Sequence, residues 1–142
     1  MKNYIIIGLT IFLSSCSHDD NRSVYGAPTP SLIGKWHQLS STIDGVNIPY
    51  EDHEACGRDY IEFYGVNQIH SVDIFGCEPE IDWEGNYFLF GTQLSISNGT
   101  DSGTNTLVCK LEELTFTKLS FSYDVDENED GVNEHHIDFF ER

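Results

Sequence analysis

The segment Lys118-Leu119-Ser120-Phe121-Ser122-Tyr123 alternates between large apolar and small polar side chains. Successive side chains of a β-strand point to opposite faces of a sheet, so Leu119, Phe121 and Tyr123 share one face of such a strand. Nowhere do apolar residues repeat at helical spacing over the dozen or so residues that an independent helix needs. The segment therefore predicts a strand with one face toward a core.

Seven further segments are rich in β-branched and aromatic residues: 32–43, 60–64, 68–75, 81–90, 93–97, 106–112 and 135–140. In the last of them Ile137 and Phe139 share a face with His135, and we expect that face to pack inward. The turn sequences are Asp44-Gly45, Tyr64-Gly65-Val66-Asn67, Glu84-Gly85-Asn86, Phe90-Gly91-Thr92, Asn98-Gly99 and Asn128-Glu129-Asp130-Gly131. The short spacings predict an all-β domain of about eight antiparallel up-and-down strands, a barrel or a sandwich, with no major helix after the N-terminal leader.

The chain opens with Met1-Lys2-Asn3 and continues with mostly apolar residues over 4–13. A membrane-spanning helix needs about twenty apolar residues, so this run has the form of a signal peptide instead. Leu13-Ser14-Ser15-Cys16 resembles the bacterial lipobox, in which a diacylglyceryl group is attached to the cysteine and the preceding peptide is removed. The resemblance implies a leader over 1–15, a lipid on Cys16 with a flexible tether over 16–30, and one domain over 31–142; an ordinary secretory signal is the alternative.

The membrane is the first expected partner, through the lipid on Cys16. Ser17-His18-Asp19-Asp20 resembles an acidic export signal for the outer surface of some Gram-negative bacteria, and a solvated linker is the alternative. We expect an outer-membrane lipoprotein that faces either the periplasm or the cell surface. A formal net charge of −17 argues against nucleic acid as a partner, because an acidic surface repels phosphate backbones.

Three cysteines remain after Cys16, and an exported protein can form disulfides. Cys56 and Cys77 have polar neighbours and flank the strand-like stretch 60–75, whereas Cys109 lies on the apolar face of an alternating run. We therefore pair Cys56 with Cys77, a link worth about 3 kcal/mol in the chain-entropy model. Cys109 is interpreted as a small buried apolar residue.

The sequence carries none of the main enzyme motifs, and we do not expect an enzyme. No cofactor is expected, and calcium is the one alternative. Residues 126–131 place the oxygen ligands Asp126, Asn128 and Asp130 at alternate positions before Gly131. The twelfth position of such a loop is Ile137 rather than a bidentate Glu, so the segment is either a weak calcium site or a polar hairpin turn.

Leu32-Ile33-Gly34-Lys35-Trp36 resembles the first strand of lipocalin-like domains, and further matches follow in order. They include Cys56 before the 60–63 strand, Cys77 before Trp83, and a closing Phe139-Phe140-Glu141-Arg142. The chain is thereby similar to short lipocalin-like lipoproteins of Gram-negative bacteria, which implies a small up-and-down barrel; another β-sandwich is the alternative. In that family the Trp closes the narrow end, the Gly lets the chain pass close beside it, and the terminal Arg stacks on the Trp. The resemblance assigns these roles to Trp36, Gly34 and Arg142. The sequence departs from the family pattern in two ways: Arg142 is the last residue and free to fray, and no C-terminal helix is visible.

The resemblance implies a binding module that takes a small apolar ligand among inward aromatic side chains, for which the candidates are Phe63, Trp83, Phe88 and Phe121. Against this, side chains can fill a barrel of eight short strands completely. The alternative function is a structural or interaction module of the cell envelope that meets a protein partner. The stretch 87–90, apolar on both faces, is either such a surface or a strand covered on both sides.

Overall fold

The computed structural model describes residues 28–51, 55–100 and 103–142. Their nine β-strands are β1 (Gly34–Ile43), β2 (Val46–Pro49), β3 (Tyr60–Tyr64), β4 (Gln68–Phe75), β5 (Glu78–Phe90), β6 (Gln93–Thr100), β7 (Gly103–Leu114), β8 (Lys118–Val125) and β9 (Glu134–Glu141). The strands are antiparallel and lie in the order β2-β1-β3-β4-β5-β6-β7-β8-β9. Strand β1 also pairs with β9, so eight strands close an up-and-down barrel, as predicted. No helix in the described ranges is long and apolar enough to cross a membrane.

One of the nine strands, β2, was not predicted. Asp44 and Gly45 form the expected turn with φ values of 49° and 81°, and β2 then pairs with the second half of β1. All four β2 residues are exposed, so the strand lacks the alternation of apolar and polar residues that reveals a half-buried strand. Strands β2 and β3 pair with the same edge of β1. Strand β3 pairs with its N-terminal part, and β2 pairs with its C-terminal part.

The register of β8 and β9 corrects the face that we assigned to the last strand. Phe121 is opposite Asp138, and Tyr123 is opposite His136. Residues directly opposite each other in an antiparallel pair point to the same face, so Asp138 and His136 point inward with the core. Phe140 is the third inward residue of β9, and the prediction that Ile137 and Phe139 face the core is wrong.

Strand β5 contains two further corrections. Trp83, Tyr87 and Leu89 pack against the core, whereas Phe88 is 60% exposed on the outer face. Phe88 therefore cannot line the interior, because it lies at an odd spacing from Trp83 in a regular strand. The predicted turn at Glu84-Gly85-Asn86 is also wrong, since all three residues lie within β5.

Gly85 has a packing role in place of the turn. A Cβ at this position would overlap the carbonyl oxygen of Ser97 in β6, so only glycine allows the two backbones to approach this closely. The predicted turn at Asn98-Gly99 is wrong as well, because β6 continues through both residues to Thr100, which pairs with Gly103 of β7.

The solid core lies in one half of the barrel, near the start of β1. Its buried apolar residues are Leu32, Trp36, Phe63, Ile69, Leu94, Cys109, Leu119, Phe121 and Phe140. The predicted pair Cys56 and Cys77 forms a disulfide with a Cα–Cα distance of 5.5 Å, which confirms the pairing. Cys109 is a buried free thiol, as expected.

Candidate ligand site

One end of the barrel is sealed by Trp36, which has no exposed surface. Its indole Nε1 donates a hydrogen bond to the carbonyl oxygen of Leu32 at 2.7 Å, so the buried N–H is satisfied. The guanidinium carbon of Arg142 lies 4.0 Å from the centre of the indole ring, within cation–π range. We call this end, with Gly34, Trp36 and Arg142, the closed end.

Arg142 is fixed rather than frayed, contrary to our expectation for a last residue. Its Nε donates to the carbonyl of Phe116 at 2.7 Å, and its Nη1 donates to the carbonyl of Ile33 at 2.9 Å. Gly34 has a φ of +125°, and a Cβ there would lie 3.2 Å from the Arg142 Nη1. Glycine thus gives both the backbone conformation and the space that the guanidinium needs.

The opposite end of the barrel is open because the β6–β7 hairpin separates from β5 on one side and from β8 on the other. The pairing of β5 with β6 begins where Asn86 lies opposite Ser97 and runs from there to the closed end. Both strands continue unpaired with each other in the other direction, toward the open end. Strands β7 and β8 likewise pair only from Lys110 opposite Ser122 toward the closed end. The barrel wall is therefore interrupted on both sides of the hairpin, and the interior becomes accessible there.

A pocket of about 220 Å³ lies at the gap between β5 and the β6–β7 hairpin. Its walls are mainly apolar and aromatic, with two amides: Trp83, Ile96, Asn98, Asn105 and Leu107. We call the pocket, together with the inward polar side chains of β1, β8 and β9 at the same end, the cup. Ligand sites in proteins are concave and mostly apolar with a few convergent polar groups, and the cup has this composition.

The polar side of the cup is centred on Asp138. Its Oδ1 accepts a hydrogen bond from the Ser41 hydroxyl at 2.5 Å, and its Oδ2 accepts one from the Tyr123 hydroxyl at 3.1 Å. The Gln38 side-chain amide donates to Ser41 Oγ at 3.0 Å. All four side chains are partly buried, so the carboxylate is held in position and solvent still reaches this part of the interior.

His136 lies beside this network and is 5% exposed. Its ring stacks on Tyr123 with centroids 5.1 Å apart and an interplanar angle of 13°. Its Nε2 is buried without a hydrogen-bond partner, and the nearest carboxylate oxygen, Glu127 Oε2, is 3.8 Å away. Buried polar atoms are normally paired, so this nitrogen is an open position in the network.

Burial sets the protonation of two groups near Asp138, namely the Cys109 thiol of the core and the Tyr123 hydroxyl. It raises the pKa of the Cys109 thiol to about 12, with a smaller contribution from the Asp138 carboxylate. Burial, followed by the proximity of Asp138, also raises the pKa of Tyr123 well above its usual value. Both groups are neutral near pH 7, so Tyr123 remains a hydrogen-bond donor and Cys109 is not an activated nucleophile.

The four predicted ligand-binding residues lie in three different environments. Phe63 and Phe121 are buried in the core of the closed half, so they form the floor of the interior rather than its accessible wall. Trp83 lines the pocket. Phe88 is on the outer surface.

The inward polar residues of the cup were not among the predicted site residues. Asp138 and His136 alternate with Ile137 and Phe139, so the more apolar set of the strand was assigned to the inside. The one signal for the true register was Phe140, which shares a face with Asp138 and His136.

The β8–β9 loop, residues 126–133, uses its side-chain oxygens to hold its own backbone. The Asp126 carboxylate accepts the N–H groups of Asp130 at 3.0 Å and Gly131 at 2.8 Å, and Asn128 Oδ1 accepts the Asp130 N–H at 2.9 Å. In the described part of the chain, no group of three or more His, Cys, Asp or Glu residues is placed to hold a metal ion. Calcium binding by Asp126, Asn128 and Asp130 stays a prediction, and Cys16 lies outside the described residues.

A second, more polar cleft of about 510 Å³ lies along the gap between β7 and β8. His135 Nδ1 is 2.8 Å from Asp124 Oδ1 there, and the Ser122 hydroxyl donates to Glu112 Oε1 at 2.8 Å. The Lys110 ammonium donates to the second oxygen of Glu112 at 2.9 Å. These polar groups of the cleft are thus paired with one another.

The chain matches no protein-family model, and no curated protein matches it significantly. Solved structures do match. A lipocalin-like protein from Bacteroides uniformis superposes with a TM-score of 0.55 at 19% identity, covering 78% of this chain and 97% of that chain. An uncharacterized protein from Bacteroides eggerthii superposes with a TM-score of 0.55 at 17% identity, covering 79% of this chain and 99% of that chain. With a closed eight-stranded antiparallel barrel sealed at one end, this chain has the lipocalin-like fold.

Proposed function

We propose that this chain is a lipid-anchored lipoprotein of the outer membrane whose barrel binds a small, mainly apolar molecule in the cup. The observation that carries the binding role is the uneven filling of the interior. Buried side chains pack the closed half, whereas Trp83, Ile96 and Leu107 line an accessible pocket in the open half. We propose binding rather than catalysis, because the polar groups of the cup include no activated nucleophile.

The lipobox-like Leu13-Ser14-Ser15-Cys16 supports the anchor. The domain's first described residues, including Leu32 at the closed end, lie on the side of the barrel away from the cup. A tether that enters at the closed end leaves the cup free to face either the periplasm or the outside of the cell.

Titration calorimetry of the purified protein with 2-phenylethanol tests the binding role. We expect saturable heat, which Leu107→Trp abolishes because the larger side chain fills the pocket. Val108→Trp is the matched control, since Val108 is the neighbouring residue on the outer face and is 53% exposed. Absence of saturable heat with both 2-phenylethanol and its amine analogue 2-phenylethylamine, or equal loss in both variants, would contradict binding in the cup.

One observation favours an envelope interaction module as the second candidate. Phe88 and Phe90 are 60% and 76% exposed on the outer face of β5, near the closed end. Large exposed aromatic residues are enriched at protein interfaces. Crosslinking in native membranes tests this candidate: a crosslinked protein partner that Phe88→Ser with Phe90→Ser removes would support it, and an unchanged pattern would contradict it.

A further inference from the structure

The cup contains a carboxylate that no cation of the described chain neutralises. We propose that the ligand of the cup carries a protonated amine on its apolar body, with Asp138 as the counter-ion. This inference rests on the proposed binding function, since it names the class of molecule that the same site takes.

The positive side chains of the described ranges are all engaged or placed elsewhere. Arg58 pairs with Glu141 and Lys110 with Glu112, both at 2.9 Å. Lys35 donates to Tyr60 on the outer face, Arg142 seals the closed end, and Lys118 is exposed at the start of β8. Within residues 28–51, 55–100 and 103–142, Asp138 therefore has neutral donors only, Ser41 and Tyr123.

Those two hydrogen bonds orient the carboxylate without saturating it. An ionised carboxylate has about four lone-pair positions, and Ser41 and Tyr123 use two of them, one on each oxygen. A charged hydrogen-bond partner is worth more than a neutral one, and its advantage grows where water is partly excluded. The Asp138 carboxylate is thus oriented and can still accept hydrogen bonds from a cationic donor.

The groups around Asp138 favour an ammonium over other donors. An ammonium has three N–H donors, and the unpartnered Nε2 of His136 lies two residues from Asp138 on the same inward face. The Glu127 Oε2 lies 3.8 Å from that nitrogen, so a second carboxylate is near the proposed position of the ammonium. The Tyr123 ring, which stacks on His136, also presents aromatic surface, and aromatic rings attract cations.

The apolar part of the cup limits the rest of the molecule. The pocket of about 220 Å³ is smaller than the roughly 300–1,000 Å³ of drug-sized sites, so it suits a single ring or a short alkyl chain. Trp83, Ile96 and Leu107 would cover that group, and the amides of Asn98 and Asn105 lie beside it. The proposed class is therefore a small arylalkyl or alkyl amine.

Calorimetry of the purified protein with two matched probes at about 0.15 M salt tests the proposal, since that ionic strength screens the general attraction of cations to an acidic surface. The probes are 2-phenylethylamine, charged at pH 7, and 2-phenylethanol, its neutral counterpart. We expect the amine to bind at least tenfold more tightly. Asp138→Asn should remove this preference, and Asp124→Asn should keep it, because the Asp124 carboxylate is on the outer face and its side chain is 64% exposed.

The outcomes separate this proposal from the binding function on which it rests. If the alcohol binds in the cup as tightly as the amine, the counter-ion role is overturned while binding stands. If neither probe binds, both proposals fail. A wild-type NMR titration decides the case in which Asp138→Asn does not fold: amine-specific shifts at Asp138, Tyr123 and His136 support the proposal, and their absence overturns it.

Discussion

At the scale of single residues, Arg142 has the most direct effect on the stability of the closed end. Replacing it with Ala removes the stacking on Trp36 and the hydrogen bonds to the carbonyls of Ile33 and Phe116. We expect the free energy of unfolding to fall by about 1–3 kcal/mol in urea denaturation. Arg142→Lys keeps the charge but not the planar fork, so most of the loss should persist. Full recovery with Lys would contradict the stacking argument.

Cys109 and Tyr123 predict how stability depends on pH. The pKa of Cys109 rises from 9.0 to about 12 on folding, so above pH 9 the unfolded chain loses this proton before the folded chain does. The free energy of unfolding therefore falls between pH 9 and about 12, by up to about 1.4 kcal/mol per pH unit for this group. Tyr123, whose pKa is also raised, adds to the decline above its usual value of 10.0.

Urea denaturation between pH 7 and 10.5 measures this decline. Cys109→Ala lowers stability at every pH by creating a small cavity, but it should make the loss between pH 9 and 10 shallower than in the wild type. Parallel curves for the two proteins would show that the thiol loses its proton at the same pH in the folded and the unfolded chain. That result would contradict the prediction.

Asp138 shows why single residues of the cup could not be read from the sequence. Phe139 and Phe140 are adjacent, so either face of β9 gave a plausible core, and the face with Ile137 was the more apolar choice. Only pairing with β8 places Asp138 opposite Phe121 and thus inside. Trp36 was identifiable beforehand because its spacing from Gly34 resembles a known pattern.

At the scale of elements, Gly85 decides how closely β5 and β6 approach at the point where the barrel opens. Gly85→Ala would bring a Cβ against the carbonyl oxygen of Ser97, which is backbone and cannot rotate away. We expect a loss of about 1–3 kcal/mol of unfolding free energy, as for other overpacked positions. Asn86→Ala, an exposed neighbour in the same strand, is the control, and a loss below about 0.5 kcal/mol at Gly85 would contradict the close approach.

The disulfide between Cys56 and Cys77 connects the segment before β3 to the turn between β4 and β5. Cys56→Ser with Cys77→Ser should lower the unfolding free energy by about 3 kcal/mol, mainly because the unfolded chain gains freedom. The denaturation midpoint of the double variant measures this loss. An unchanged midpoint, with the wild-type disulfide verified by mass spectrometry, would contradict it.

The strands were predictable where one face is buried and the other is not. The alternation in β8 gave its position and its inward face, whereas β2 escaped because all four of its residues are exposed. The predicted turns at Gly85 and Gly99 are wrong, because each glycine lies within a strand. A glycine that permits close strand approach has the same local sequence signal as one that permits a turn.

At the scale of the whole molecule, the number and order of the strands followed from local patterns, but the uneven filling of the barrel did not. Filling depends on where paired strands separate, and that depends on contacts such as Gly85 with Ser97 and on the bulge between Leu111 and Glu113 in β7. These contacts join residues from different strands. The closed end was foreseen from a resemblance, while the cup required the pairing of all eight barrel strands.

Attachment of the whole molecule to a membrane through Cys16 is a prediction that cell fractionation can test. If Cys16 carries the lipid, Cys16→Ser should move the protein from the membrane fraction to the soluble fraction, because a single substitution removes every acyl chain that anchors it. Cys109→Ser is the matched control and should remain membrane-bound, since that thiol is buried in the barrel. Mass spectrometry of the wild type should find an acylated N-terminal Cys16. An unacylated chain that still begins at Met1 would contradict the anchor, but it would leave the barrel and its cup as they are, because the described residues start at position 28, after Cys16.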